Sequence, residues 1–409
     1  MWLSDFRLVL PDRIVQRGSI RIESGHIVDV VEGEAPVTDI ADVDGRGLTL
    51  MPGLVDLHGD MLEREIEPRP KAILPIDLAL FELDKRLVAT GVTTAFAAVT
   101  FHRFGNSEVR SEERGRQIVT TVNRLHSSLL ADFRIHARFE VTNPEAGPVL
   151  TSLIEANHVH LVSLNDHTPG QGQYRDIERF IETMVDWRKL RKGVVQTEEE
   201  IRAEIEQQQA KPRSWDVVND VARIARARGI PLASHDDDSP EKVEFVAGLG
   251  ATVSEFPITL ESAQAARSRG MLTVMGAPNA LLGRSHSNNL SALDGIRAGV
   301  VDILAADYHP ASMLQSACGL ASQGIVSLPE AVRMVSFNPA RATGLTDRGS
   351  LQIGKRADLV LVEMAGRPRV RGTMRSGRFV YWDGSVALHG GDYFEPARPT
   401  TASISIPSL

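Results

Sequence analysis

The sequence predicts an α/β protein: a distorted (β/α)8 barrel of the TIM type with a small β-sandwich domain formed by both chain ends. Between residues 51 and about 320, short apolar runs alternate with helical segments, the pattern of parallel strands joined by crossover helices. There are eight such runs, enough to close a barrel. Residues 1–50 and the stretch beyond about 355 instead alternate apolar and polar residues between turn signals, as in antiparallel sheet.

In chain order, residues 6–10, 18–22 and 26–30 read as strands, separated by Pro-Asp and Ser-Gly turns. The barrel strands are expected at 53–58, 93–100, 134–141, 159–165, 230–235, 251–256, 272–276 and 302–306. Helices are expected between them, several stopped by a glycine (Gly91, Gly229, Gly270) just before the next strand. Residues 174–212 are a charged helical excursion containing Glu198-Glu199-Glu200. It reads as a solvated insertion, and its place after a strand end is also where a lid would sit. A helix over 327–344 precedes two further strands, 357–362 and 377–381, and a tail rich in Pro, Ser and Thr. The expected units are 1–50 and 346–409 as the two parts of the sandwich, and 51–345 as the barrel.

The formal net charge is -8, with no basic block, so nucleic-acid binding has no electrostatic footprint. A local basic pocket can still hold an anion. The single cysteine, Cys318, excludes an intramolecular disulfide and a thiolate metal cluster. No apolar run approaches the ~20 residues of a membrane span. The N-terminus lacks the pattern of a secretory signal, so a cytoplasmic protein is expected.

In Leu54-Val55-Asp56-Leu57-His58-Gly59-Asp60 an apolar run ends in a histidine and a carboxylate two residues apart. Side chains at i and i+2 of a strand share a face. Alone, the pair reads best as a strand end with a solvated aspartate. The other strand ends carry partners: Glu140; Asp166 and His167; His235 with Asp236, Asp237 and Asp238; Glu255; and Asp307, followed by Tyr308 and His309. In a barrel these ends converge on one mouth. Clustered carboxylates repel unless a cation sits among them. Imidazole and carboxylate without thiolate suit Zn, Mn, Fe or Ni, and two ions could share such a set. Arg284, in the loop 276–289, and Arg69, in the proline-framed loop 67–71, are cations able to hold phosphate. His26, His102, His126, His136 and His389 read as surface histidines.

Together these residues resemble the amidohydrolase superfamily, through Met51-Pro52-Gly53-Leu54-Val55-Asp56-Leu57-His58, Asn338-Pro339-Ala340 and Gly354-Lys355-Arg356-Ala357-Asp358. Within it the chain is similar to the diphosphatases of phosphonate metabolism. The shared stretches include Pro68-Arg69-Pro70, Leu164-Asn165-Asp166-His167-Thr168-Pro169-Gly170, Ser234-His235-Asp236-Asp237, Glu255-Phe256-Pro257, Gly276-Ala277-Pro278-Asn279, Ser285-His286-Ser287 and Asp307-Tyr308. The resemblance runs from residue 5 to about 382.

The resemblance implies a metal-dependent hydrolase with His58, Asp60, Glu140 (in the bridging position), His167, His235 and Asp307 as ligands. Asp307 would also be the catalytic base, and Asn279, Arg284, His286 and Arg69 would bind substrate. One or two Zn ions are implied, with Mn, Fe or Ni as alternatives. The implied reaction splits α-D-ribose 1-methylphosphonate 5-triphosphate into the 5-phosphate and pyrophosphate; hydrolysis of an amide or cyclic amidine is the alternative. A small anionic substrate, no nucleic acid, no membrane and a homo-oligomer such as a dimer are the expected partners. The family pattern puts the ligands on strands one, four, five, six and eight, so the strands counted above would lack one early and have one too many late. One departure concerns charge: Glu63, Glu65 and Glu67 crowd the loop that a triphosphate would approach.

Overall fold

The computed structural model describes residues 1–33, 42–69, 71–102, 109–192, 197–283, 289–386 and 388. Five strands open the chain: β1 (Trp2–Val9), β2 (Ile14–Glu23), β3 (His26–Glu32), β4 (Val43–Asp44) and β5 (Leu48–Pro52). The barrel strands are β6 (Leu54–Gly59), β7 (Val92–Phe101), β8 (Asp132–Glu140), β9 (Leu161–Asn165), β10 (Leu232–His235), β11 (Val253–Glu255), β12 (Leu272–Gly276) and β13 (Ile303–Ala305). Three more strands follow: β14 (Leu359–Glu363), β15 (Arg369–Arg375) and β16 (Arg378–Trp382). The first helices are α1 (Met61–Ile66), α2 (Ile76–Ala89), α3 (Glu112–Leu125), α4 (Ala146–Glu155), α5 (Ile177–Lys192) and α6 (Glu198–Gln209).

Both chain ends enter one sheet, ordered β16-β15-β14-β5-β1-β2-β3, with β4 also on β1. The junction is the antiparallel pair β14–β5, where Leu359 faces Pro52 and Glu363 faces Leu48. Leu3, Phe6, Leu8, Ile20, Leu50, Leu359, Leu361 and Phe379 form its own apolar core.

The barrel strands pair in parallel in sequence order from β6 to β13. Val55, Leu57, Phe96, Leu161, Ala233, Val253, Val274 and Ile303 make one apolar cluster. A larger one contains Ile135, Ala137 and Phe139 of β8 together with residues of the outer helices, such as Leu83, Val122 and Leu150. The ring closes by a single bridge between Gly59 and Asp307. There the Asp307 N–H donates to the His58 carbonyl (2.9 Å) and the Asp60 N–H to the Asp307 carbonyl (2.7 Å). The buried Asp56 adds a tie across the seam by accepting from the Ala306 N–H (2.9 Å). The last hydrogen bonds of closure therefore set the backbone of His58, Asp60 and Asp307.

The eight strands are those read from the apolar runs. The recount implied by the family pattern is corrected, because β8 pairs directly with β7 and with β9 and leaves no room for another early strand. Glu140 ends the third barrel strand, His167 follows the fourth, His235 ends the fifth and Asp307 follows the eighth.

Candidate active site

His58, Asp60, His167, His235 and Asp307 converge on a cavity of about 870 Å³ at the C-terminal mouth of the barrel. Local backbone geometry aims them. Asp236, Phe256 and Asp307 have φ values of 53°, 54° and 56°, the left-handed region that non-glycine residues rarely enter. All three lie within two residues of a barrel-strand end, so part of the backbone strain among the described residues falls at the mouth. In the His-Gly-Asp motif a side chain at position 59 would meet Met61 Cε at 2.5 Å and Asp56 Oδ2 at 2.7 Å. Only glycine leaves room for these neighbours at the end of β6, and His58 Nε2 lies 3.4 Å from Asp60 Oδ1.

β8 supplies a polar face. Ile135, Ala137 and Phe139 join the larger apolar core, while His136, Arg138 and Glu140 point to the other side at the period of two. Glu140 accepts from the His167 N–H (2.8 Å) and from His167 Nδ1 (2.7 Å), so both its oxygens are engaged in orienting that ring. Arg138 donates to Asp60 Oδ1 (2.7 Å), and its second terminal nitrogen stands 3.4 Å from Nε2 of both His167 and His235. Beneath them, Glu255 Oε1 lies 3.2 Å from His58 Nδ1 and Oε2 lies 3.5 Å from His136 Nε2. The Phe256 ring packs edge-on against His58 and His235.

The field is that of a cation site. Burial opposes a charge on His58, yet the Glu255 and Asp60 carboxylates outweigh it and raise the imidazole to about 10. Burial likewise opposes ionisation of Asp60, but the Arg138 guanidinium and His58 hold it well below the usual carboxylate range. Burial and the Asp60 carboxylate push Asp307 up to about 7. Two overlapping groups bring ligand atoms within 4.8 Å of one another: His58, His235 and Glu255, and His167, His235 and Asp236. In the second, His235 Nδ1 and Asp236 Oδ2 are buried 3.1 Å apart, with no hydrogen-bond partner beyond each other among the described residues. Imidazoles and carboxylates left so, in a field that would hold a proton, fit a divalent cation.

Of the acidic run after His235, only Asp236 lines the cavity. Asp237 accepts from the Ser234 and Ser254 hydroxyls (2.5 Å each), and Asp238 accepts from the Gly172 N–H (2.8 Å). Asp166 is held by Arg213 at 3.0 Å. Asn279 lines the cavity while its amide ties Leu290 and Ala292 together. Arg69 is exposed on its loop and does not line the cavity. Arg284, His286 and His389 lie outside the described residues. The crowded acids after Asp60 turn away from the cavity: Glu63 pairs with Arg110 (2.9 Å) and Glu65 with Arg86 (2.7 Å), and Glu67 accepts from the Lys71 N–H (3.0 Å). None of the three lines the cavity.

Sequence reasoning passed over several wall residues: Arg64, Arg110, Arg138, Tyr174, Arg179 and Phe180. Arg138 was within reach, because Ile-His-Ala-Arg-Phe-Glu alternates strictly and puts it on the face of Glu140. Two histidines read as surface residues are corrected by their burial and position. His136 is fully buried beneath His58, with ring centroids 4.9 Å apart, and His102 lines the cavity.

A model of the amidohydrolase family matches residues 85–380. Among curated proteins, the chain is 36% identical over 367 residues to the alpha-D-ribose 1-methylphosphonate 5-triphosphate diphosphatase of Escherichia coli (strain K12), covering 88% of this chain and 94% of that one. A dihydroorotase of Aquifex aeolicus matches over 99 residues at 28% identity, covering 20% of this chain and 23% of that one. Among solved structures, N-acetyl-D-glucosamine-6-phosphate deacetylase from Mycobacterium smegmatis superposes with a TM-score of 0.63 at 17% identity, covering 93% of this chain and 100% of that one. Dihydropyrimidinase from Brevibacillus agri superposes with a TM-score of 0.57 at 13% identity, covering 97% and 99%. At those identities the solved structures share the fold alone.

Proposed function

The chain belongs to the amidohydrolase family, and from that premise we propose that this hydrolase cleaves a phosphoanhydride bond of a ribosyl triphosphate, α-D-ribose 1-methylphosphonate 5-triphosphate, releasing pyrophosphate. The observation that carries the reading is the charge of the cavity wall. Arg64, Arg110, Arg138 and Arg179 all line it, around His58, Asp60 and Asp307. Guanidinium groups are suited to phosphoryl oxygens. The similarity to a diphosphatase along most of the chain supports the same substrate class.

His58, Asp60, His167, His235 and Asp307 would hold the divalent ion, with Asp236 and Glu255 in reach; Glu140, expected as the bridging ligand, has both oxygens on His167 and is assigned to orienting it. When bound, such an ion supplies activation of water and neutralises charge on the phosphoryl oxygens. The protein's own groups do the rest. Glu140 keeps His167 in the tautomer with Nδ1 protonated, and Glu255 does the same for His58, so both Nε2 lone pairs face the cavity. The Asp307 carboxylate takes the proton of the attacking water as its oxygen bonds to phosphorus and the anhydride P–O bond breaks. It then returns that proton to the leaving pyrophosphate. Arg138 and Arg110 meet the charge that develops on the phosphoryl oxygens.

Incubation of the metal-loaded enzyme with the ribosyl triphosphate should release one pyrophosphate per 5-phosphate formed. Absence of pyrophosphate, together with ring opening or ammonia release from amides or cyclic amidines, would replace this reading with the amide-hydrolase alternative.

A further inference from the structure

The cavity wall draws on two parts of the chain. The barrel and its loops supply Arg64, Arg110 and Arg138 beside His58, Asp60 and Asp307, together with the apolar Phe256, Ile258 and Met275. The segment after β9 supplies a second, mainly apolar part. Tyr174, Phe180 and Met184 line it with one cation, Arg179, and the last three of these belong to α5.

The helical pair α5–α6 is a separate body of packing. Phe180, Ile181, Ile201 and Ile205 form a small core of their own, distinct from the barrel's, with Tyr174, Ile177 and Met184 against it. Thr197 and Glu200 close the N-terminus of α6 with a capping box. Arg202 of α6 holds both oxygens of Glu178 of α5, at 3.0 and 2.6 Å. Gln209 anchors the pair to the barrel by donating to the Pro169 carbonyl (3.0 Å). The Tyr174 ring lies 4.7 Å from Phe180 and 6.4 Å from His167, centroid to centroid. This second part thus begins next to the reacting groups.

The two parts ask for different halves of a ligand. A polyphosphate offers anionic oxygens and no apolar surface, so an aromatic wall gains nothing from it. A sugar ring offers C–H faces that pack on aromatic rings. One guanidinium beyond such a wall matches one further anionic group.

We propose that the α5–α6 pair recognises the non-reacting half of the substrate. The Tyr174–Phe180–Met184 face takes the sugar ring, and Arg179 takes the anionic group that the ring carries at its far end. The barrel-side arginines take the polyphosphate. This assignment rests on the ribosyl-triphosphate reading above. It makes Arg179 a specificity residue that contributes to binding and not to bond breaking, and a contact made equally in ground and transition states appears in KM.

Arg179→Met removes the charge at an exposed position of α5. Steady-state kinetics are read by pyrophosphate release from the ribosyl methylphosphonate triphosphate, with tripolyphosphate, which lacks the sugar half, as a competitor. In the variant KM should rise about tenfold or more, the loss of one charge-assisted hydrogen bond, while kcat stays within about threefold. Inhibition by tripolyphosphate should be unchanged, and Arg179→Lys should recover part of the KM. An unchanged KM in Arg179→Met, or an equal weakening of tripolyphosphate, overturns the assignment and leaves the hydrolase reading standing. A wild-type enzyme that releases no pyrophosphate from the ribosyl substrate overturns both.

Discussion

The two ends of β8 bury charge in opposite ways. At the N-terminal end, Asp132 is surrounded by partners: Arg348 at 2.5 Å, His126 at 2.9 Å and Arg134 at 3.2 Å. At the C-terminal end, Arg138 and Glu140 stand among groups whose demands are only partly met, with His235 Nδ1 and Asp236 Oδ2 offered nothing beyond each other among the described residues. A buried ion that is fully paired stabilises or at least costs little, whereas one left wanting a partner is costly unless a ligand supplies it. Eight residues of one strand therefore separate a clamp from a receptor. The clamp ties the barrel floor to the segment leading into the end sheet, since Arg348 lies just before β14. The receptor faces the mouth, where barrel enzymes place their chemistry.

The largest expected effect comes from the receptor end. Asp307→Asn should lower kcat on the order of a thousandfold, the usual worth of a general acid–base group, with metal content by elemental analysis largely retained. Near-normal turnover in that variant would remove Asp307 from the proposed role. Next, His235→Asn should reduce bound divalent metal by about tenfold or more under competition with a chelator, since even groups behind a ligand are worth that much. Unaltered metal retention would mean that the cluster is structural.

The clamp end should behave in the reverse sense. Arg348→Met leaves Asp132 buried beside one fewer cation and should cost about 3 kcal/mol in urea unfolding, with kcat and KM unchanged. A fall in kcat without loss of stability would break the contrast. The smallest effect is one of pH. Burial alone would raise Asp132, but His126, Arg134 and Arg348 outweigh it and hold the carboxyl far below its usual range. A carboxylate depressed in the folded state stabilises the fold above its unfolded value of about 3.9, and that contribution is lost as pH falls below it. The loss of stability between pH 7 and pH 3 should therefore be shallower in Asp132→Asn than in the wild type.

Much of the architecture was legible because it is locally encoded. Runs of five to eight residues, with glycines closing several of the helices between them, were enough to place all eight barrel strands within a few residues. The convergence of His58, Asp60, His167, His235 and Asp307 followed from strand ends alone. Other features depended on contacts too distant to read. Asp166, Asp237 and Asp238 look equivalent to Asp236 in the sequence, yet each is held by a partner that only the folded chain brings near. Glu63 and Glu65 look obstructive until Arg110 and Arg86 neutralise them. The face holding His136, Arg138 and Glu140 was visible in the alternation of β8, and its importance was not, because nothing local says that this face lines the cavity.

What the sequence by itself determined is the alternation of strand and helix, the pairing of the two chain ends into one sheet and the set of groups at the barrel mouth. These rest on side-chain periodicity and turn chemistry, which act over a few residues. What only the tertiary structure decided is who meets whom: Arg138 with Asp60, Glu140 behind His167, Glu255 beneath His58, and the α5–α6 pair over the cavity. Such partners are brought together by closure of the barrel and by strand register across it, so their identity belongs to the whole chain and to no segment of it.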